Sequence, residues 1–198
     1  MRGYLLIFLV FSLGIYSNTV SAQPDYSVDG KIFTSIEKAL LQPDSVVRLK
    51  LRRNGYTAIP PEIFSFKNLR ELDLGNNRIT AIPLEIGKLE KLEILNLERN
   101  RLTMIGKEIG LLPNLKFLNL GLNKIVSLPH EIGKLENLEF LQIWGNEITA
   151  IPPSAARLEK LRWLDMRSII LTTSEREEVI DLLPGTNVLL SPDCNCGK

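Results

Sequence analysis

The chain has 198 residues, with 24 Lys+Arg against 23 Asp+Glu, one His and two Cys. That length supplies one domain with a proper core, or two small ones. The near-zero net charge argues against a general nucleic-acid binder, and one His with two neighbouring Cys leaves little material for a metal site or for a thiol or serine active site.

Met1-Arg2 supplies one positive charge, Tyr4 to Ile15 is a nearly unbroken apolar run, and Tyr16 to Ala22 is small and polar, ending Val20-Ser21-Ala22. This order is that of a secretory signal peptide over residues 1–22, with cleavage expected after Ala22. The apolar run is about twelve residues, shorter than a comfortable bilayer span. No Cys stands at the cleavage point, which argues against lipid attachment. The chain is therefore expected to be exported, with no stable membrane insertion after cleavage. Secretion to the medium, the cell surface and the periplasm all remain open, because one signal serves all three.

Residues 23–45 read as an N-terminal cap. Thr34-Ser35-Ile36-Glu37 is a capping-box pattern leading into Ile36, Ala39 and Leu40 at helical spacing, and Pro43 ends the run.

Residues 46–168 repeat with a period of 23. Leu69, Leu72, Leu74 and Asn77 recur as Leu92, Leu95, Leu97 and Asn100, as Leu115, Leu118, Leu120 and Asn123, and as Leu138, Leu141, Ile143 and Asn146. Val46, Leu49, Leu51 and Asn54 form an earlier copy, and Leu161, Leu164 and Met166 a degenerate last one with Ile169 in place of Asn. The second half repeats as well. Ile59-Pro60, Ile82-Pro83, Leu128-Pro129 and Ile151-Pro152 recur, as does Glu-Ile-Gly at 85–87, 108–110 and 131–133. Alternation in LxL points those side chains to one side of a short strand, and Pro and Gly limit the second half to a short helix or arc. Asn54, Asn77, Asn100, Asn123 and Asn146 recur at each bend, and a polar group there needs hydrogen bonds; a ladder to the backbone of adjacent turns would supply them. One unit cannot bury its own apolar face, so units stack.

Residues 169–198 read as a C-terminal cap and a Cys-containing tail. Ser174-Glu-Arg-Glu177 is a second capping-box pattern, followed by Val179, Ile180, Leu182 and Leu183, a Pro184-Gly185 turn and an edge strand at 187–190. Cys194 and Cys196 enclose one residue, so a bond between them would be strained and reducible; a tail without activity is the favoured reading, with a redox pair, a metal clip and an intermolecular disulfide as the alternatives. No catalytic domain is expected beyond the cap.

These residues resemble the leucine-rich-repeat family in its LxxLxLxxNxLxxLPxEIGxLxx form, over roughly 120 residues. With the signal peptide they are similar to small exported leucine-rich-repeat proteins of bacteria, those of leptospires among them. The chain departs from vertebrate extracellular members in lacking Cys-rich caps at both ends. The resemblance implies an α/β fold: a curved leucine-rich-repeat solenoid with a parallel sheet on its concave face, short helices or arcs on its convex face, a helical N-cap and a helix-strand C-cap. It also implies a non-enzymatic protein-binding module.

Positions three, five and seven of each repeat alternate with the buried leucines and should face outward. Position three runs Arg48, Glu71, Ile94, Phe117, Phe140, Trp163; position five runs Lys50, Asp73, Asn96, Asn119, Gln142, Asp165; position seven runs Arg52, Gly75, Glu98, Gly121, Trp144, Arg167. At about 4.8 Å between strands, Ile94, Phe117, Phe140 and Trp163 make an exposed stripe roughly 15 Å long. Large rigid side chains in a row favour a partner contact, with sheet stabilisation by cross-strand aromatic neighbours and self-association as the alternatives, and Asn96, Asn119, Gln142, Trp144 and Arg167 are polar and anchoring neighbours. Arg48, Lys50, Arg52 and Arg53 form a second, basic patch able to steer an acidic partner. The expected partner is a protein of a host or of the cell envelope, in a host-interaction or adhesin-like role. A glycan binder and a structural envelope protein are the alternatives. His130 sits at a variable position with no nucleophile in the motif, and Glu62, Glu85, Glu108 and Glu131 recur as scaffold surface. No enzyme activity, cofactor or metal is expected.

Overall fold

The computed structural model describes residues 28–191. The expected signal peptide at 1–22 and the tail residues Cys194 and Cys196 lie outside these residues. One parallel sheet of eight strands runs through them in chain order: β1 Ile32–Phe33, β2 Arg48–Lys50, β3 Glu71–Asp73, β4 Ile94–Asn96, β5 Phe117–Asn119, β6 Phe140–Gln142, β7 Trp163–Asp165 and β8 Asn187–Leu189. From β2 to β7 each residue pairs with its repeat equivalent, as in Leu72 with Leu95 and Leu95 with Leu118. Five-residue 3-10 turns return the chain along the convex side at Pro61–Ser65, Leu84–Lys88, Lys107–Leu111, His130–Lys134 and Pro153–Arg157.

The sequence pattern accounts for the packing. Leu72, Leu74, Leu95, Leu97, Leu118 and Leu120 are fully buried, as are Ile86, Ile109 and Ile132 from the 3-10 turns. Each such side chain contributes roughly 2 kcal/mol by leaving water, and all belong to one continuous apolar column. On the convex side the turns press together: a Cβ at Gly133 would collide with the Ser154 carbonyl oxygen. The Gly of the Glu-Ile-Gly segment is thus set by how closely neighbouring turns approach.

The eighth residue of each repeat takes a left-handed conformation, with φ of 60° at Arg53, 57° at Asn76, 55° at Arg99, 53° at Leu122, 64° at Gly145 and 59° at Ser168. That conformation costs a non-glycine residue about 1 kcal/mol or more, so the repeat spends stability on a bend that turns the chain off the sheet. The next residue holds the bend. Asn123 Nδ2 donates to the carbonyls of Leu97 (3.0 Å) in the preceding repeat and of Leu120 (2.9 Å) in its own, while its Oδ1 accepts from Leu102 N (3.0 Å). Asn77, Asn100 and Asn146 bond in the same manner. Asn54 differs from the expectation. It is exposed, and its Nδ2 reaches only Arg52 O at 3.3 Å, because no leucine-rich turn precedes it.

The ends differ in detail from the sequence reading. Strand β1 was not foreseen. Helix α1 (Ile36–Leu40) starts at Ser35, not Thr34: Ser35 Oγ accepts from Lys38 N. Helix α2 (Thr173–Leu182) is capped by Thr172 with Glu175, not by Ser174 with Glu177. A box two residues earlier places Val179 and Leu183 against the last repeat, where both are buried.

Candidate functional site

The outward faces of β2 to β6 and the residues just after them enclose a cleft of about 280 Å³. Ile94, Phe117, Asn96, Asn119, Gln142 and Trp144 line it, together with Lys50 and Arg52. Sequence reasoning placed these eight on the same face, and the structure brings them together. Glu71, Asp73 and Glu98 line it as well. They were not singled out from the sequence, although the same positional arithmetic contains them.

The remaining candidates lie elsewhere. Phe140 is 5% exposed and Ile94 9%. The expected stripe is therefore not fully exposed, because side chains on strands about 4.8 Å apart close over one another. Phe117 and Phe140 stack with ring centroids 6.4 Å apart. Trp163 is half-buried on β7, beyond the cleft lining. Arg167 forms a fork on Asp165 through Nε (2.9 Å) and Nη2 (2.6 Å), and the Asp165 hydrogen bond holds its guanidinium above its usual pKa against the opposing effect of burial.

The basic patch is corrected more sharply. Arg48 Nε and Lys50 Nζ both meet the Glu71 carboxylate, which is nearly buried. Arg52 meets Asp73 at 3.2 Å and Glu98 at 3.6 Å. Three cations thus face three carboxylates supplied by the next two repeats, and of the four only Arg53, at its exposed bend, lies outside these pairs. The charges were legible one by one; their cancellation needed the register.

Position five has a shared local geometry. The Oδ1 of Asp73, Asn96, Asn119 and Asp165 accepts from the backbone N–H two residues on, at 2.9, 2.9, 3.0 and 3.2 Å. This bond fixes each side chain, and it points the Nδ2 of Asn96 and of Asn119 away from that backbone; neither Nδ2 bonds to another described residue. Gln142 is one methylene longer and makes no such bond. Its Oε1 is buried without a hydrogen-bond partner among the described residues. At position seven, Trp144 lies across Gly121: a Cβ there would collide with the indole Nε1 and stand 2.8 Å from Cε2. Gly121 therefore makes the room in which the pyrrole part of the indole comes against the neighbouring strand.

The repeat register, the five-residue 3-10 turns and the Asn bonds between turns agree with the comparisons to known proteins. Residues 44–102 match the family described as leucine rich repeat, and residues 103–174 match that described as leucine-rich repeat region. The ectodomain of the Arabidopsis thaliana receptor kinase SOBIR1 is 30% identical over 63% of this chain and 73% of its own, with a TM-score of 0.54. The chain belongs to the leucine-rich-repeat family.

A leucine-rich-repeat protein of Leptospira interrogans is 29% identical, with a TM-score of 0.58, over 82% of this chain and 55% of that one. The ectodomain of the Arabidopsis thaliana membrane receptor kinase GASSHO1/SCHENGEN3, solved in complex with CASPARIAN STRIP INTEGRITY FACTOR 2, is 32% identical with a TM-score of 0.60, over 72% of this chain and 18% of that one. This chain thus spans about half of the leptospiral protein and under a fifth of the plant ectodomain. No curated protein matches it.

Proposed function

We propose that this leucine-rich-repeat protein is an exported, non-enzymatic module that binds a protein partner through its concave face, in a host-facing or envelope role. The observation that carries the reading is the cleft itself. It combines a half-buried phenylalanine and tryptophan with fixed amide donors in one concavity, the arrangement in which a contact residue buries area at low entropy cost. Leucine-rich-repeat folds serve widely as protein-binding scaffolds, and the GASSHO1/SCHENGEN3 ectodomain was solved with a bound factor. The order of residues 1–22 supports export. His130 stands exposed in a convex 3-10 turn, away from the cleft, which supports a role without catalysis.

A photo-crosslinking amino acid at Phe117, compared with the same residue at exposed Leu84 on the convex side, tests the surface. The reading expects a discrete protein adduct from position 117 and none from 84 in cells of the source organism or in contact with a host. The same adducts from both positions would remove the concave assignment. Protease treatment of intact cells tests export: cleavage, or protein in the medium, places the face outside, whereas protection until the envelope is breached makes the partner an envelope component. Retention with the cytosolic fraction would overturn export.

A further inference from the structure

We infer that the cleft between Asn96 and Trp144 takes a neutral saccharide ring. The inference rests on the concave face being the binding surface and names a sugar carried by the partner as what its cleft takes.

The charges decide first. Lys50 and Arg52 are matched by Glu71, Asp73 and Glu98, so the cleft offers no cation or anion whose partner is missing. A charged ligand would compete with pairs already formed, whereas a neutral one leaves all of them in place. The polar groups left over are of both kinds. Asn96 Nδ2 and Asn119 Nδ2 are donors held in fixed directions, and Gln142 Oε1 is a buried acceptor without a partner. A hydroxyl group both donates and accepts, so a ring bearing several satisfies this mixture with one functional group. The spacing disfavours an extended peptide. Neighbouring donors are about 4.8 Å apart, the distance between strands, whereas same-side groups of an extended chain recur about every 6.6 Å.

The floor fits the other half of a sugar. The indole of Trp144 lies against Gly121 in the cleft lining, and an indole face receives the C–H face of a ring while hydroxyls at its rim reach polar neighbours. A cleft of about 280 Å³ lies at the small end of ligand sites and suits one or two rings.

The test uses the fact that the protein has two tryptophans, Trp144 and Trp163. In a Trp163→Phe protein the emission reports Trp144 alone. Titration with maltotriose, cellotriose, chitotriose and mannotriose, each to about 10 mM, should give a saturable change with at least one of them. Asn119→Asp should weaken that response roughly tenfold. This variant keeps the backbone bond, which Asp73 and Asp165 make at the equivalent positions, while it replaces the free donor by an acceptor and adds one negative charge. Circular dichroism checks its fold. Calorimetry on Trp144→Ala gives a second reading, with loss of binding expected. Silence with all four saccharides, or a response unchanged by Asn119→Asp, overturns the inference. A protein adduct at position 117 together with saccharide silence removes the sugar and leaves the concave interface, so the two failures are distinguishable.

Discussion

At the scale of single residues, one side chain carries two unlike duties depending on where its repeat stands. Asn123 satisfies carbonyls of two successive turns and an amide N–H of the earlier one. Asn54 stands at the equivalent position with only an exposed contact to its own bend. Removing the first leaves buried backbone groups unpaired, each at about 1–3 kcal/mol, so Asn123→Ala should lose about 3 kcal/mol or more. Asn54→Ala should stay within about 0.5 kcal/mol of the parent. Urea unfolding of the two variants side by side measures this, and equal losses would contradict the ladder as the source of the asparagine repeat.

At the scale of strands, the register turns residues that are 23 apart into neighbours. The second position of successive repeats reads Arg70, Glu93, Lys116, Glu139, Arg162, and these alternate in sign. Glu93 lies between Arg70 and Lys116 and is paired to both. Burial pushes its carboxyl up, but hydrogen bonds from Arg70 and Lys116 outweigh this and hold it below the ordinary value of 4.5. A carboxylate depressed in the folded state binds fewer protons there than in the unfolded chain, so its contribution is complete above 4.5 and is lost as pH falls through the depressed value. Glu93→Gln should therefore cost about 1 kcal/mol near pH 7, and the gap to the parent should narrow as the pH falls below 4.5. Thermal melts at several pH values read this directly. A gap that widens in acid would show that the pairs on Glu93 do not dominate.

At the scale of the molecule, stability comes from an apolar column that is open at both ends unless something covers it. Val179 and Leu183 of the last helical segment and Ala39 of α1 belong to that column. Stacked repeats depend on such covers because each unit contacts only its neighbours. Deleting residues 169–198 uncovers buried Leu164 and Met166, and the shortened protein should melt at a clearly lower temperature and aggregate at concentrations where the parent stays monodisperse. Light scattering with a thermal melt measures both. An unchanged melting temperature would mean that the last repeat closes the column without α2 and β8.

Much of this protein was legible before any coordinates. The period of 23, the LxL alternation and the recurring Asn define the stacked unit, because each rule is local and repeats until it cannot be mistaken. The eight cleft-lining candidates, Ile94 and Trp144 among them, share a face for the same reason: strand alternation is geometry that any residue obeys. What escaped the sequence depends on contacts between units. Arg48, Lys50 and Arg52 read as a basic patch until the register set Glu71, Asp73 and Glu98 beside them. Phe140 read as exposed until its neighbours closed over it, and Trp144 read as an anchor whose close contact with Gly121 only the register revealed. Sequence alone determined which side chains stand on the concave face. Only the tertiary structure decided which of them remain available to a ligand, because burial and charge cancellation are properties of neighbours 23 residues apart in the chain and one strand apart in space.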